Sequence, residues 1–116
     1  MKRSFIRAGA VLATTPLALM LAAGVAFAAG SSASCTGSTC SVSGHGFPGG
    51  TLSIDADTGG SGTALWAVDG PNGYRCSTRF SAAGGVRSWT CRGVPAGTLF
   101  ATVAGPAGPS VIGIRW

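Results

Sequence analysis

The run Thr51-Leu52-Ser53-Ile54-Asp55-Ala56-Asp57, closed by Thr58-Gly59-Gly60-Ser61-Gly62, decides the fold. Leu52, Ile54 and Ala56 alternate with Ser53, Asp55 and Asp57, the two-residue period of a strand with one dry face and one wet face. The glycine cluster behind it marks a turn. Outward from this unit the pattern recurs, with candidate strands at Cys40–Ser43, Thr63–Asp69, Tyr74–Ser81, Gly85–Val94, Gly97–Ala104 and Ser110–Trp116. Ile112, Ile114 and Trp116 share one face of the last. The breaks between them are rich in glycine and proline, as in Gly70-Pro71-Asn72-Gly73 and Gly105-Pro106-Ala107-Gly108-Pro109. Past residue 28 glycine and proline repeatedly interrupt any helical spacing of apolar residues. About seven short strands at roughly ten-residue intervals predict an all-β antiparallel sandwich or barrel.

Upstream, Lys2, Arg3 and Arg7 precede an uncharged stretch from Ala8 to Gly30 that contains Ala26-Phe27-Ala28. A cationic start, an apolar run and a small-x-small triplet predict a secretory signal peptide over residues 1–28. Two alternatives stay open. The stretch is long enough to span a bilayer uncleaved, although Pro16 and the many alanines suit a signal better. Cys35 could carry a lipid, although Ser32-Ala33-Ser34 lacks the expected leucine and an odd number of cysteines would remain. Residues 29–39, small and polar, read as a flexible leader before a domain at 40–116. Removing 28 residues from 116 leaves 88, a size that buries only about 60–65% of its unfolded surface and needs covalent help.

Cys35, Cys40, Cys76 and Cys91 supply it. An even count in a small exported domain predicts two disulfides, and of three possible pairings Cys35–Cys40 with Cys76–Cys91 is favoured. If Cys76 faces Cys91 across a hairpin, Ala83-Gly84 becomes a two-residue loop, a common hairpin connection. That register also sets Arg75 opposite Arg92 with Arg79 on the same face, and it puts Trp89 beside Tyr74, Cys76, Phe80 and Cys91. Like charges directly opposed are unfavourable. Either aspartates compensate them, or Arg75, Arg79 and Arg92 form an anion- or partner-binding group. Trp66 is a candidate aromatic contact, which periodicity alone cannot assign to core or surface.

Beyond residue 28 five arginines face three aspartates, a balance of +2 where the whole chain carries +5. That is too little to argue for nucleic acid. The cysteine spacings offer no zinc knuckles. His45, the only histidine, lies in a glycine-rich turn, and no Gly-x-Ser-x-Gly elbow accompanies it. No catalytic residues, no metal and no cofactor are expected.

Val42-Ser43-Gly44-His45-Gly46-Phe47-Pro48-Gly49-Gly50-Thr51-Leu52 resembles the strand–turn–strand of exported immunoglobulin-like modules, with one residue fewer between Phe47 and the proline. Val94-Pro95-Ala96-Gly97-Thr98-Leu99-Phe100-Ala101-Thr102-Val103 is similar to an edge segment of bacterial β-sandwich repeats. Together they imply a small immunoglobulin-like β-sandwich. The Ala-, Gly- and Arg-rich composition resembles exported proteins of actinobacteria, among which neocarzinostatin-like and tendamistat-like proteins share the overall type. The order of the cysteine loops departs from the first family and the Trp-Arg-Tyr triplet of the second is absent, so neither activity is carried over. The expectation is a secreted, non-enzymatic binding or envelope protein whose partner is an extracellular protein, a glycan or an envelope polymer, with no nucleic acid and no membrane after signal cleavage. The alternatives are an inhibitor using the hairpin tip Ala82–Gly85 and a carrier with a cleft lined by Trp66 or Phe100.

Overall fold

The computed structural model describes residues 29–116, and the signal read at residues 1–28 lies outside them. Eight strands follow in order: β1 (Gly30–Cys35), β2 (Thr39–Phe47), β3 (Gly50–Gly59), β4 (Thr63–Asp69), β5 (Arg75–Ser81), β6 (Arg87–Val94), β7 (Gly97–Ala104) and β8 (Ala107–Arg115). They form two four-stranded antiparallel sheets. Sheet I has the order β1-β8-β3-β6 and sheet II the order β2-β7-β4-β5. The all-β sandwich and both disulfides follow the expectation.

Alternation builds the core. Leu52, Ile54 and Ala56 of β3 point inward with Ile112 and Ile114 of β8. Facing them from sheet II are Trp66 and Val68 of β4 and Leu99, Ala101 and Val103 of β7. Each strand therefore contributes one apolar face, as its period of two requires. The Gly44–Gly50 stretch works as a corner. Phe47 is buried against the edge of Trp116 at a centroid separation of 5.2 Å. A Cβ on Gly44 would strike Ile114 Cδ1 and the Trp116 ring, so glycine there makes room for the closing aromatic pair.

The leader reading is corrected: Gly30–Cys35 is β1, an edge strand paired residue by residue with β8 from Gly30–Arg115 to Cys35–Ser110. Its small polar residues hid it, because the pattern lacks large apolar side chains on the inward positions Ser31 and Ala33. The β5–β6 hairpin is corrected too. The chain changes sheets at every connection except β4–β5, where Asp69 pairs with Arg75 and Thr63 with Ser81 around Pro71-Asn72-Gly73. Asn72 sits at φ 60, a left-handed conformation that asparagine tolerates. Between β5 and β6, one short turn at Ala82–Gly84 carries the chain across to the other sheet.

Consequently both disulfides join the two sheets, one at each open side of the sandwich. Cys35 of β1 bonds Cys40 of β2, with Cα atoms 5.6 Å apart. Cys76 of β5 bonds Cys91 of β6 at 6.3 Å. Each pair ties an outermost strand of sheet I to an outermost strand of sheet II. The Cys35–Cys40 loop is further held by Ser110, whose hydroxyl donates to the Gly37 carbonyl at 2.7 Å.

Candidate functional site

The outward face of sheet II is laid out by the same alternation that builds the core. Phe100 stands one residue out of step with Leu99, Ala101 and Val103, so it faces water and is 57% exposed. Register places it between Ser43 of β2 and Asp69 of β4, with Arg75 of β5 next in the row. The neighbouring row runs Ser41, Thr102, Ala67, Ser77, and the next Thr39, Ala104, Leu65, Arg79. Leu65 is 38% exposed. The result is an open face with an exposed aromatic ring and a leucine set among hydroxyls. Ser41 and Thr102 share a hydrogen bond at 3.1 Å, and His45 Nδ1 lies 3.4 Å from the Thr98 hydroxyl.

Two arginines on this face, Arg75 and Arg79, stand on the outermost strand β5. On β6, across the mouth of the sandwich, are Arg87 and Arg92. Four of the five arginines beyond residue 28 thus lie on two strands at one side of the molecule. Arg75 lies 3.6 Å from Asp69, both well exposed, a pairing that water screens heavily. The Arg87 guanidinium stands over Phe80 and Trp89, 5.9 and 5.5 Å from their centroids. Beneath it, Trp89 contacts Phe80 at 5.0 Å and Trp66 at 5.5 Å, so the aromatic cluster bridges the sheets beside the Cys76–Cys91 bond. The Tyr74 hydroxyl donates to the Arg92 carbonyl at 3.3 Å.

Measured against the expected site residues, the geometry is mixed. Arg75 and Arg92 are not ladder partners. They belong to different sheets, and Arg75 instead opposes Asp69, which removes the like-charge conflict that the hairpin register implied. Trp66, expected as a candidate aromatic contact, is 1% exposed. Its position on β4 shares parity with Ala64 and Val68, so it serves as core and offers no surface to a partner. Ala82, at the supposed hairpin tip, is buried, and its N–H donates to the Gly62 carbonyl. Phe100 lines no cleft; it stands on the open sheet. Trp89 packs where the cysteine reading put it. Leu65 and Arg87 were not among the expected contacts, and Phe100 was expected only as the lining of a carrier cleft, although its phase against Leu99 and Ala101 already places it outside.

The outward face of sheet I differs. Arg115 donates from Nε and Nη2 to both carboxylate oxygens of Asp55 at 2.7 and 2.8 Å, and the Ser88 hydroxyl donates to the same carboxylate. A shallow depression of about 380 Å³ lies beside this pair, over Gly113. Among the described residues no three His, Cys, Asp or Glu side chains gather as a metal site would need. No helix there is long and apolar enough to cross a membrane.

No family model matches the chain, and no curated protein matches it. Among solved structures, the Yersinia pseudotuberculosis-derived mitogen aligns with 75% of this chain and 81% of its own, at 9% identity and a TM-score of 0.44. TmCBM61, solved in complex with β-1,4-galactotriose, aligns with 72% of this chain and 66% of its own, at 15% identity and a TM-score of 0.43. Both likenesses fall below the level at which a shared ligand or a shared ancestry follows.

Proposed function

We propose that this chain is an exported, non-enzymatic binding module that holds an extracellular partner on the outward face of sheet II. The observation that carries the reading is Phe100, a large apolar ring more than half exposed in the middle of a sheet face. Water solvates such a ring poorly, and covering it is worth roughly 25 cal/mol per Å² of apolar area removed from water. Leu65 extends the apolar surface, while Ser41, Ser43, Thr102 and Ser77 supply donors and acceptors around it. Aromatic centres inside polar rims are the usual make-up of recognition surfaces. Export is supported by the cationic-then-apolar N-terminal segment together with two disulfides in so small a domain.

Two measurements test this. Expressed with its N-terminal segment, the chain should appear in the medium with Ala29 first and four hydrogens fewer than the reduced mass; retention inside the cell with free thiols overturns the export reading. Cell-envelope material should retain the exported protein, and Phe100→Ser should weaken that retention several-fold while leaving the unfolding transition in place. Equal retention of wild type and Phe100→Ser overturns the assignment of the face.

A further inference from the structure

We infer that the partner is an acidic polysaccharide, and that the side of the sandwich formed by β5 and β6 is where its charges are read; this rests on the binding reading above. The inference comes from where the arginines lie. Cys76 and Cys91 tie the two strands together, and around that bond the four arginines fall at two levels along the strands. Arg75 and Arg79 are in the outward phase of sheet II, Arg92 is in the outward phase of sheet I, and Arg87 lies over the rings at the mouth between them. Arg75 and Arg92 flank the end marked by Tyr74, whose hydroxyl reaches the Arg92 carbonyl. Arg79 and Arg87 flank the other end, where Arg87 covers Phe80, the residue next to Arg79. Arg75 and Arg79 are four residues apart on one strand, and Arg87 and Arg92 five apart on the other. At about 3.3 Å per residue the two levels are separated by roughly 13–16 Å along the strands.

Local chemistry leaves this charge available. Of the three aspartates beyond residue 28, Asp55 is engaged by Arg115 and Asp57 lies on β3. Asp69 lies 3.6 Å from Arg75, and Asp57 follows Ala56, the ladder partner of Arg87, without coming within ion-pair distance of it. Among the described residues Arg79, Arg87 and Arg92 have no ion-pair partner. Guanidinium is the side chain best shaped for bidentate contact with carboxylate or sulfate. A single small anion could touch only part of this group, whereas charges repeated along an extended chain that crosses this side can reach both levels. Double-stranded nucleic acid fits poorly, since the net charge beyond residue 28 is only +2 and no α-helix lies among the described residues to enter a groove. Single-stranded nucleic acid needs a succession of open aromatic platforms. Beside the arginines Phe80 is buried and Trp89 lies under Arg87, which leaves Phe100 on the adjoining face as the one widely exposed ring among the described residues.

The same-molecule control is the opposite side. There β1 and β2 are also tied by a disulfide, yet neither strand contains Asp, Glu, Lys or Arg. Closing the sandwich therefore does not require arginine.

The experiment measures retention of the exported protein on immobilised polygalacturonate, on chondroitin sulfate, on neutral dextran and on duplex DNA. We expect binding to the two acidic polysaccharides that falls steeply between about 50 and 200 mM salt. Dextran should not bind. The Arg79→Ala/Arg92→Ala variant should bind about tenfold or more weakly, and Arg79→Lys/Arg92→Lys should keep the salt slope while losing part of the affinity. All four positions are on the surface, and an unchanged melting curve checks the fold. Equal binding to dextran, tighter binding to DNA, or no loss in the Arg79→Ala/Arg92→Ala variant overturns the inference. In those cases a persisting Phe100 dependence keeps the binding-module reading alive, whereas loss of the Phe100 effect with arginine dependence intact removes the sheet face and leaves the basic edge.

Discussion

The two open sides of this sandwich use one mechanical device and opposite chemistry. On each side the outermost strands of the two sheets are joined by a disulfide, at Cα separations of 5.6 and 6.3 Å. Around Cys35–Cys40 the strands are mostly serine, threonine, alanine and glycine, with Val42, His45 and Phe47, and carry no Asp, Glu, Lys or Arg. Around Cys76–Cys91 they carry four arginines and the Phe80–Trp89 contact. A bare strand edge invites pairing with another chain, and proteins guard it with charge, bulges or covalent ties. The polar side shows that a tie with small side chains suffices here. The difference teaches that closing a side with a disulfide does not require arginine, so the array calls for another explanation, such as the recognition proposed above.

The comparison can be broken by substitutions on the two sides, taken in order of expected effect. Trp89→Ala removes the ring that links Phe80 to Trp66, and should cost about 3 kcal/mol, the lower end for such truncations because Trp89 is only partly buried. Urea unfolding would measure it, and a loss below 1 kcal/mol would mean that the aromatic bridge is ornamental. Replacing Cys76 and Cys91 by serine should cost about 3 kcal/mol, against about 2 for Cys35 and Cys40, since the longer loop loses more entropy when closed. The order of the two melting points is the readout, and its reversal would show that the polar side, through the Ser110–Gly37 bond, carries more of the closure.

Ser110→Ala sharpens that point, because it deletes the hydroxyl that donates to Gly37. About 1 kcal/mol is expected in a denaturant titration. Arg87→Ala should cost about 0.5–1 kcal/mol by removing a cation from two ring faces, measurable as a small shift of the same curve. Smallest of all, Asp69→Asn should leave stability unchanged within error, because the Arg75–Asp69 pair is exposed on both partners. By freeing Arg75 it should instead raise retention on polygalacturonate; weaker retention would mean that Asp69 itself contacts the ligand.

Much of the fold was readable from local pattern. The alternation of β3 assigned Leu52, Ile54 and Ala56 inward and Ser53, Asp55 and Asp57 outward, and all six lie so. The glycine and proline breaks mark the turns, but strands run into them: β2 continues to Phe47, β3 to Gly59, and β8 begins at Ala107. The candidate site was less legible. Trp66 was open to either side because its neighbours Leu65 and Ala67 are apolar as well, and its inward phase appears only once β4 has β5 and β7 on its flanks. The arginine array was half visible: the sequence supplied three of its members, but in a register that opposed Arg75 to Arg92. Two cysteines fifteen residues apart fit a hairpin and a crossing between sheets equally well, since both bring Cα atoms within bonding reach.

By itself the chain of residues determined the strand periods and most of the inward faces and favoured the observed cysteine pairing, because each depends on neighbours in sequence or on short loops. Tertiary structure alone decided which sheet each strand joins. That choice turned Gly30–Cys35 from a leader into an edge strand, converted a supposed hairpin into a covalent bridge between layers, and gathered four arginines on one side. Alternation is identical for a strand that pairs with its successor and for one that crosses over. What separates them is burial between residues far apart in the chain, such as Ile54 with Ile114, and no local window contains that.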